Sequence, residues 1–345
     1  MEPPSQQQDP GTRALARSPD YFLFDVHESG RLLFVPVSRR TYAESAFLDH
    51  RMTPRPTTVL HRPLREIAPM TRELDPPEAV IAHTSFCAST LFARCIETPN
   101  LMVLREPRIL NTLANDFRNR PYREVMESDF PRSTWHLLGK RYEPRQKVAV
   151  KFTNFTNNLL RPIQAEWPST RILIMWGKLE AFLVSMLKHE REAGQQLWMF
   201  LKAFLMDRGA DKSVIQQHLQ QPLMQQAAMT WSLQILDLCQ LAENNPGTVR
   251  TLPADRFLAD PLGATRAFHH WLGIDAADDE VETHVRGVMG HDAKTGESAD
   301  SRGIRSSRDQ LRQDKAERIE QTLAWARDQG LVPETGNLDR ISLLD

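Results

Sequence analysis

Five short apolar runs, near residues 80–83, 101–104, 148–152, 171–176 and 248–252, are separated by longer stretches whose apolar residues recur at helical spacing. Strands that alternate with helices in this way lie parallel, because each helix must cross a face of the sheet before the next strand begins, and the sheet is then covered on both sides. The pattern predicts a three-layer α/β/α body around a central parallel sheet. Between the fourth and fifth runs, residues 179–243 form a helical insertion, with Phe182, Met186, Leu197, Phe200, Leu201, Phe204, Leu233 and Leu236 at helical spacing. Such Met and aromatic stripes read as core.

The rest of the chain is subordinate to that body. Residues 1–20, rich in Pro and Gln, read as disordered. Residues 21–26 and 32–37 flank Glu28-Ser29-Gly30-Arg31, a hairpin signal, and 40–51 read as a short helix. With the Pro-rich stretch 54–77 they make an N-terminal appendage and linker, which leaves 78–345 as the α/β domain. Residues 290–305 have almost no apolar side chains and read as an exposed loop, followed by an amphipathic helix over 308–329.

Composition narrows the function classes. With 345 residues, 41% hydrophobic and 25% charged, the chain can bury a full core, as one large domain or two smaller ones. A formal net charge of −1 supplies no general field for nucleic acid or an acidic membrane, so neither is expected as a partner and any anion site must be local. No apolar run reaches the roughly 18 residues of a membrane span, and the opening residues lack the basic and apolar blocks of a signal peptide. A cytoplasmic location is the expectation. Cys87, Cys95 and Cys239 are too few and too scattered for a disulfide framework. His136, His269 and His270 have no Cys or carboxylate partners at ligand spacing, so no metal is expected.

Chemistry is concentrated in residues 79–95, Ala-Val-Ile-Ala-His-Thr-Ser-Phe-Cys-Ala-Ser-Thr-Leu-Phe-Ala-Arg-Cys, which read as a buried strand, a tight loop of small and hydroxyl residues, and a helix. The strand carries the loop to the carboxyl edge of the sheet. Free N–H groups at the helix start, near Ala88 to Leu91, then present partial positive charge to a phosphate or sulfate. Ser89 and Thr90 also suit ordinary helix-start positions. A nucleotide-triphosphate loop needs Gly, Lys and Ser/Thr in succession, and Cys87-Ala88-Ser89-Thr90 holds no Lys, which argues against hydrolysis of ATP or GTP. Cys87 reads as a small filler rather than a nucleophile.

Ligands of an open parallel sheet bind outside the carboxyl ends of its strands. Those ends carry Thr84 to Thr90, then Arg105-Glu106-Pro107, Lys151-Phe152-Thr153-Asn154, and Gly177-Lys178 with Ser185 two helical turns on. The set suits an anionic group transferred to a hydroxyl or amine. Each member has a plainer reading as well. Glu106 favours a helix dipole, Arg105 pairs with it, Lys151 snorkels to water, and Asn154, Asn157 and Asn158 serve as caps and turns.

Taken together these segments resemble the sulfotransferase family, in its divergent bacterial branch, within the P-loop fold. The likeness spans about residues 78–330. It rests on the loop Thr84-Ser85-Phe86-Cys87-Ala88-Ser89-Thr90-Leu91, the Lys151-Phe152-Thr153 strand end where relatives often carry Lys-Thr-Pro, and Leu183-Val184-Ser185. The most characteristic piece is the run from Leu252 to Pro261 followed by Phe268-His269-His270-Trp271-Leu272-Gly273. The resemblance implies 3′-phosphoadenosine 5′-phosphosulfate as donor, its phosphosulfate held by residues 85–91 with Thr84, and its 3′-phosphate held by Ser185 with Lys178. It departs from the family at Phe86, where a Lys or Arg is usual, and at Gly177 and Leu179, where Arg and Pro are usual. Lys151, or Lys294 from the late polar loop, stands as the replacement.

The reading that follows is a sulfotransferase-like enzyme acting on a small-molecule acceptor, with Glu106 as base, Lys151 as charge stabiliser and Arg105 in the same crevice. Catalysis then consists of positioning and charge stabilisation, without a metal. The alternative is a catalytically inactive member that keeps the fold as a binding or interaction module. A nucleotide-dependent kinase is disfavoured by the missing loop Lys.

Overall fold

The structure, a computed structural model, describes residues 11–188, 190–291 and 312–344. Strands β1 (Tyr21–Val26), β2 (Arg31–Pro36) and β3 (Leu60–Pro63) form a small antiparallel sheet in that order. Strands β4 (Ala79–His83), β5 (Leu101–Arg105), β6 (Lys147–Lys151), β7 (Arg171–Trp176) and β8 (Val249–Pro253) form a second sheet, all parallel, in the order β5-β6-β4-β7-β8. The expected three-layer α/β architecture with a central parallel sheet is what the chain adopts, and each of the five strands lies within a residue of its expected bounds.

Alternation along these strands divides the core in two. Val80, Ala82, Met102, Leu104, Val148, Val150, Ile172 and Ile174 face one side. Ala79, Ile81, Leu101, Val103, Ala149, Leu173 and Met175 face the other, under the helices Ser89–Cys95, Pro261–Leu272 and Asp278–Met289. Continuous burial of both faces is why these strands read as unbroken apolar runs. The helical insertion is made of Leu179–Lys188, Glu190–Asp207, Lys212–Leu219 and Leu223–Asn244, with Phe182, Met186, Leu197, Leu201 and Phe204 buried as core.

The N-terminal region differs from expectation. Residues 11–17, within the stretch read as disordered, form a helix whose Leu15 and Ala16 are fully buried. The Pro-rich 54–77 segment, read as linker, supplies β3 and the helix Leu64–Thr71, with Ile67 and Ala68 inside. The small sheet shares one continuous core with the body, so its burial comes from packing that composition alone does not report. The expected helix over 40–51 is shorter, Arg39–Glu44. The expected amphipathic helix over 308–329 is Ala316–Asp328, and a short helix, Gly336–Arg340, follows it. Residues 292–305 of the expected exposed loop, Lys294 included, lie outside the described residues. No described helix is long and apolar enough to cross a membrane.

Candidate functional site

β4 is the middle strand, and the chain leaves it toward β5 on one side but leaves β7 toward β8 on the other. Strand order therefore reverses beside β4, which is where an open α/β sheet makes its crevice. The loop after β4 sits there. Its backbone is unusual, because Ser85 (φ 67°), Phe86 (φ 52°) and Ala88 (φ 59°) are all left-handed without being glycine. Each such residue costs on the order of 1 kcal/mol and persists only where its surroundings hold it.

The surroundings can be named. Thr84 N–H donates to Met175 O (3.2 Å) and Ser85 N–H to the Nδ1 atom of His83 (3.0 Å). The first main-chain bond of the following helix runs from Phe92 N–H to Ala88 O (3.0 Å). Among the described residues, the N–H groups of Phe86, Ala88, Thr90 and Leu91 have no acceptor. The hydroxyl of Thr84, fully buried, also has no partner among the described residues. Successive free N–H groups in a turn form a concavity that takes an oxyanion, so the loop fits a phosphate or sulfate.

Side-chain parity gathers the charged groups. His83, Lys151 and Arg105 end β4, β6 and β5 and stand two residues after Ile81, Ala149 and Val103, so all three point to the face beneath the Ser89–Cys95 helix. The Nδ1 atom of His83 accepts from Ser85, so its proton sits on Nε2, which donates to Phe152 O (2.9 Å). The ring is therefore neutral. Lys151, fully buried, brings Nζ to 3.2 Å from His83 Nε2 and donates to Glu106 Oε1. Glu106 has a left-handed backbone (φ 53°), and its second oxygen lies 3.6 Å from Arg51 Nη2. Arg51 is bound in turn to Asp49 through Nε (3.0 Å to each oxygen) and Nη2. The cluster balances Lys151 and Arg51 against Glu106 and Asp49. Burial pushes the Cys87 thiol up, and the nearby Lys151 only partly opposes this, so Cys87 stays a neutral filler.

Other expected residues behave differently. Arg105 does not enter the crevice. Its guanidinium, fully buried, donates to Ser45 O (2.9 Å), Ala43 O (3.0 Å) and Tyr42 O and pairs with Glu97 (2.8 Å), so it fastens the appendage to β5. That is a correction, and its reason is three carbonyl acceptors supplied by residues about 60 positions away in sequence, with the nearby Glu97 as a fourth partner. Lys178 is 74% exposed and paired with Asp255 (3.3 Å) at the surface, while Ser185 is buried on the Leu179–Lys188 helix. Phe86 is 38% exposed, with its ring edge-to-face on Phe182 at 5.3 Å. Ser89 and Thr90 are buried, and Leu91 packs partly against the core. Asn154, Asn157 and Asn158 tie elements together instead of capping, donating to Gln234 (3.2 Å), His83 O (3.0 Å) and Ala114 O (3.0 Å). Among the described residues, no group of three His, Cys, Asp or Glu is placed to hold a metal.

Sequence reasoning missed His83, Asp49 and Arg51. His83 was within reach, as a polar residue ending an apolar run just before the loop. Arg51 has no local signal at all.

No protein-family model and no curated protein matches the chain. Among solved structures, it is similar to a sulfotransferase from Alicyclobacillus acidocaldarius, at 14% identity and a TM-score of 0.40, over 76% of this chain and 99% of that one.

Proposed function

We propose that this chain is a sulfotransferase-like enzyme that moves a sulfuryl group from 3′-phosphoadenosine 5′-phosphosulfate to a hydroxyl or amine of a small metabolite. One observation carries the reading: Lys151, Glu106 and His83 meet at the carboxyl ends of three adjacent strands, beside a strained loop with free N–H groups.

In the reaction the bond from sulfur to the bridging phosphate oxygen breaks as the acceptor's oxygen or nitrogen bonds to sulfur, and negative charge grows on the leaving phosphate. The 84–91 backbone and Lys151 stabilise that charge, and Glu106 takes the acceptor's proton. The two roles are coupled. A proton on Glu106 weakens its hold on Lys151 and releases the amine toward the leaving group. His83 positions the loop, accepting from Ser85 N–H through Nδ1, while its Nε2 donates to Phe152 O.

The test is a thermal-shift titration of the full chain with 3′-phosphoadenosine 5′-phosphate. A ligand that binds only the folded state stabilises it by about 2.7 kcal/mol at a hundred times its dissociation constant. No shift at millimolar nucleotide overturns the donor assignment. The balanced charges of the cluster and the aromatic Phe86 favour a second reading, a non-catalytic binder of the same anion. It is separated from the first by nucleotide binding without transfer of labelled sulfate to any acceptor offered.

A further inference from the structure

The N-terminal appendage lies outside the region that resembles an enzyme family, yet its 45–53 segment is bonded to the main chain on both sides of Glu106. Leu48 N–H donates to Arg105 O (2.7 Å), and Arg108 N–H donates to Leu48 O (3.1 Å). The buried Arg105 guanidinium holds Ser45 O, and Thr53 N–H closes the segment on Ser45 Oγ (3.1 Å). A piece of chain pinned in this way presents its side chains to Glu106 in one arrangement.

The side chain it presents is Arg51. Asp49, itself buried, grips Nε and Nη2, the Phe47 ring lies 3.6 Å from the guanidinium carbon, and Nη2 is 3.6 Å from Glu106 Oε2. The remaining nitrogen, Nη1, has no hydrogen-bond partner among the described residues, and the side chain is 46% exposed. Arg51 is thus a cation held by a carboxylate and a ring, on a 46% exposed side chain with one pair of N–H donors left without a partner among the described residues. From it a chain of contacts runs inward through Glu106, Lys151 and His83 to the Ser85 N–H of the loop. Lys151 by contrast is fully buried and already paired.

We infer that the appendage completes the candidate site: Arg51, through Nη1, is the exposed cation that binds the phosphosulfate end of the donor, in place of the basic residue that Phe86 displaces from the loop. The inference rests on the proposed function for the identity of the donor, but the chemistry it needs is only an oxyanion on a preset guanidinium. Neutralisation by Asp49 lowers the net charge of the pair. It also fixes the guanidinium plane before the ligand arrives, so little side-chain freedom is lost on binding.

The experiment is calorimetric titration of the full chain, as wild type, Arg51→Ala and Arg51→Lys, with 3′-phosphoadenosine 5′-phosphate and separately with inorganic pyrophosphate. Circular dichroism melts check that each variant is folded. The expected result is a loss of about ten-fold or more in affinity for both probes in Arg51→Ala, with partial recovery in Arg51→Lys, because charge returns without the planar fork. Equal affinities in wild type and Arg51→Ala overturn the role of Arg51 while leaving the donor assignment in place. Pyrophosphate binding that depends on Arg51, with no nucleotide binding, upholds Arg51 and overturns the donor. If wild type binds neither probe, both fall. Should Arg51→Ala fail to fold, protection of Arg51 by pyrophosphate from phenylglyoxal, read by mass spectrometry on the wild type, decides the matter: protection supports the assignment and unchanged labelling overturns it.

Discussion

Lys151 at the end of β6 and Lys140 at the seam between the appendage and the body are both buried, but they are surrounded by different chemistry. Lys140 donates to Leu15 O (2.9 Å) and Tyr21 O, with the Phe34 ring centroid 5.3 Å away. Its acceptors are carbonyls, and burial pushes its amine down to about 7, opposed only partly by Asp20. Lys151 faces a carboxylate and a neutral imidazole beside a strained loop. One lysine joins two pieces of chain, and the other sits among groups that can exchange protons and charge. Burial of a lysine is therefore no guide to function here. What lies within reach of the amine is.

Removing Lys151 gives the largest expected effect. Under the proposed function, Lys151→Ala is expected to lower sulfuryl transfer by about 10²- to 10³-fold, the loss typical of one transition-state charge stabiliser. It also destabilises the fold by roughly 1–3 kcal/mol, because the part-buried Glu106 carboxylate loses the cation that meets its Oε1 atom. Adding Glu106→Gln to Lys151→Ala restores much of the stability and none of the activity. Urea melts together with transfer assays check this, and a double variant as unstable as the single one would show that the pair does not act as a unit.

Lys140 is probed through pH. Its folded value of about 7 lies below the ordinary lysine range, so between the two values the unfolded chain holds a proton that the folded chain lacks. Stability therefore rises with pH from about 7 upward, by up to about 1.4 kcal/mol per unit. Lys140→Met removes that slope. Thermal melts of the two proteins from pH 7 to 8.5 check this, since the opposite contribution of the buried thiols is common to both and cancels in the difference. Parallel slopes would place the Lys140 amine in contact with water and end the contrast with Lys151.

Smaller effects belong to the loop. Phe86→Lys puts a cation at a half-exposed position and is expected to tighten nucleotide binding by about five-fold, close to 1 kcal/mol, as measured by calorimetry. Weaker binding would mean that the contact of Phe86 with Phe182 shapes the loop more than charge does. Ala88→Gly relieves a left-handed alanine, but adds chain entropy to the unfolded state. The two nearly cancel, and a stability change below about 1 kcal/mol in urea is expected. A larger gain would show that the alanine's strain is the dominant cost in the loop.

The positions that make up the candidate site were largely legible before the fold was known, because strand ends can be read locally. Lys151, Glu106 and the 84–91 loop each follow an apolar run, and the end of such a run marks the edge of the sheet where ligands bind. Arg105 follows the same rule and was misassigned, since no local feature shows that carbonyls of residues 42, 43 and 45 wait for its guanidinium. The residues 11–17 helix and β3 were missed for a related reason: each is short, and its burial depends on a partner distant in sequence.

What the chain determines by itself is the alternation of strand and helix, and with it the parallel sheet and the direction each strand residue faces, because these follow from side-chain periods of two and 3.6 residues that any window of sequence displays. Tertiary structure alone decides which of the edge residues meet. It turns Arg105 away to hold the appendage and brings Arg51 in against Glu106, because a guanidinium goes where acceptors converge, and that convergence is a property of the folded chain.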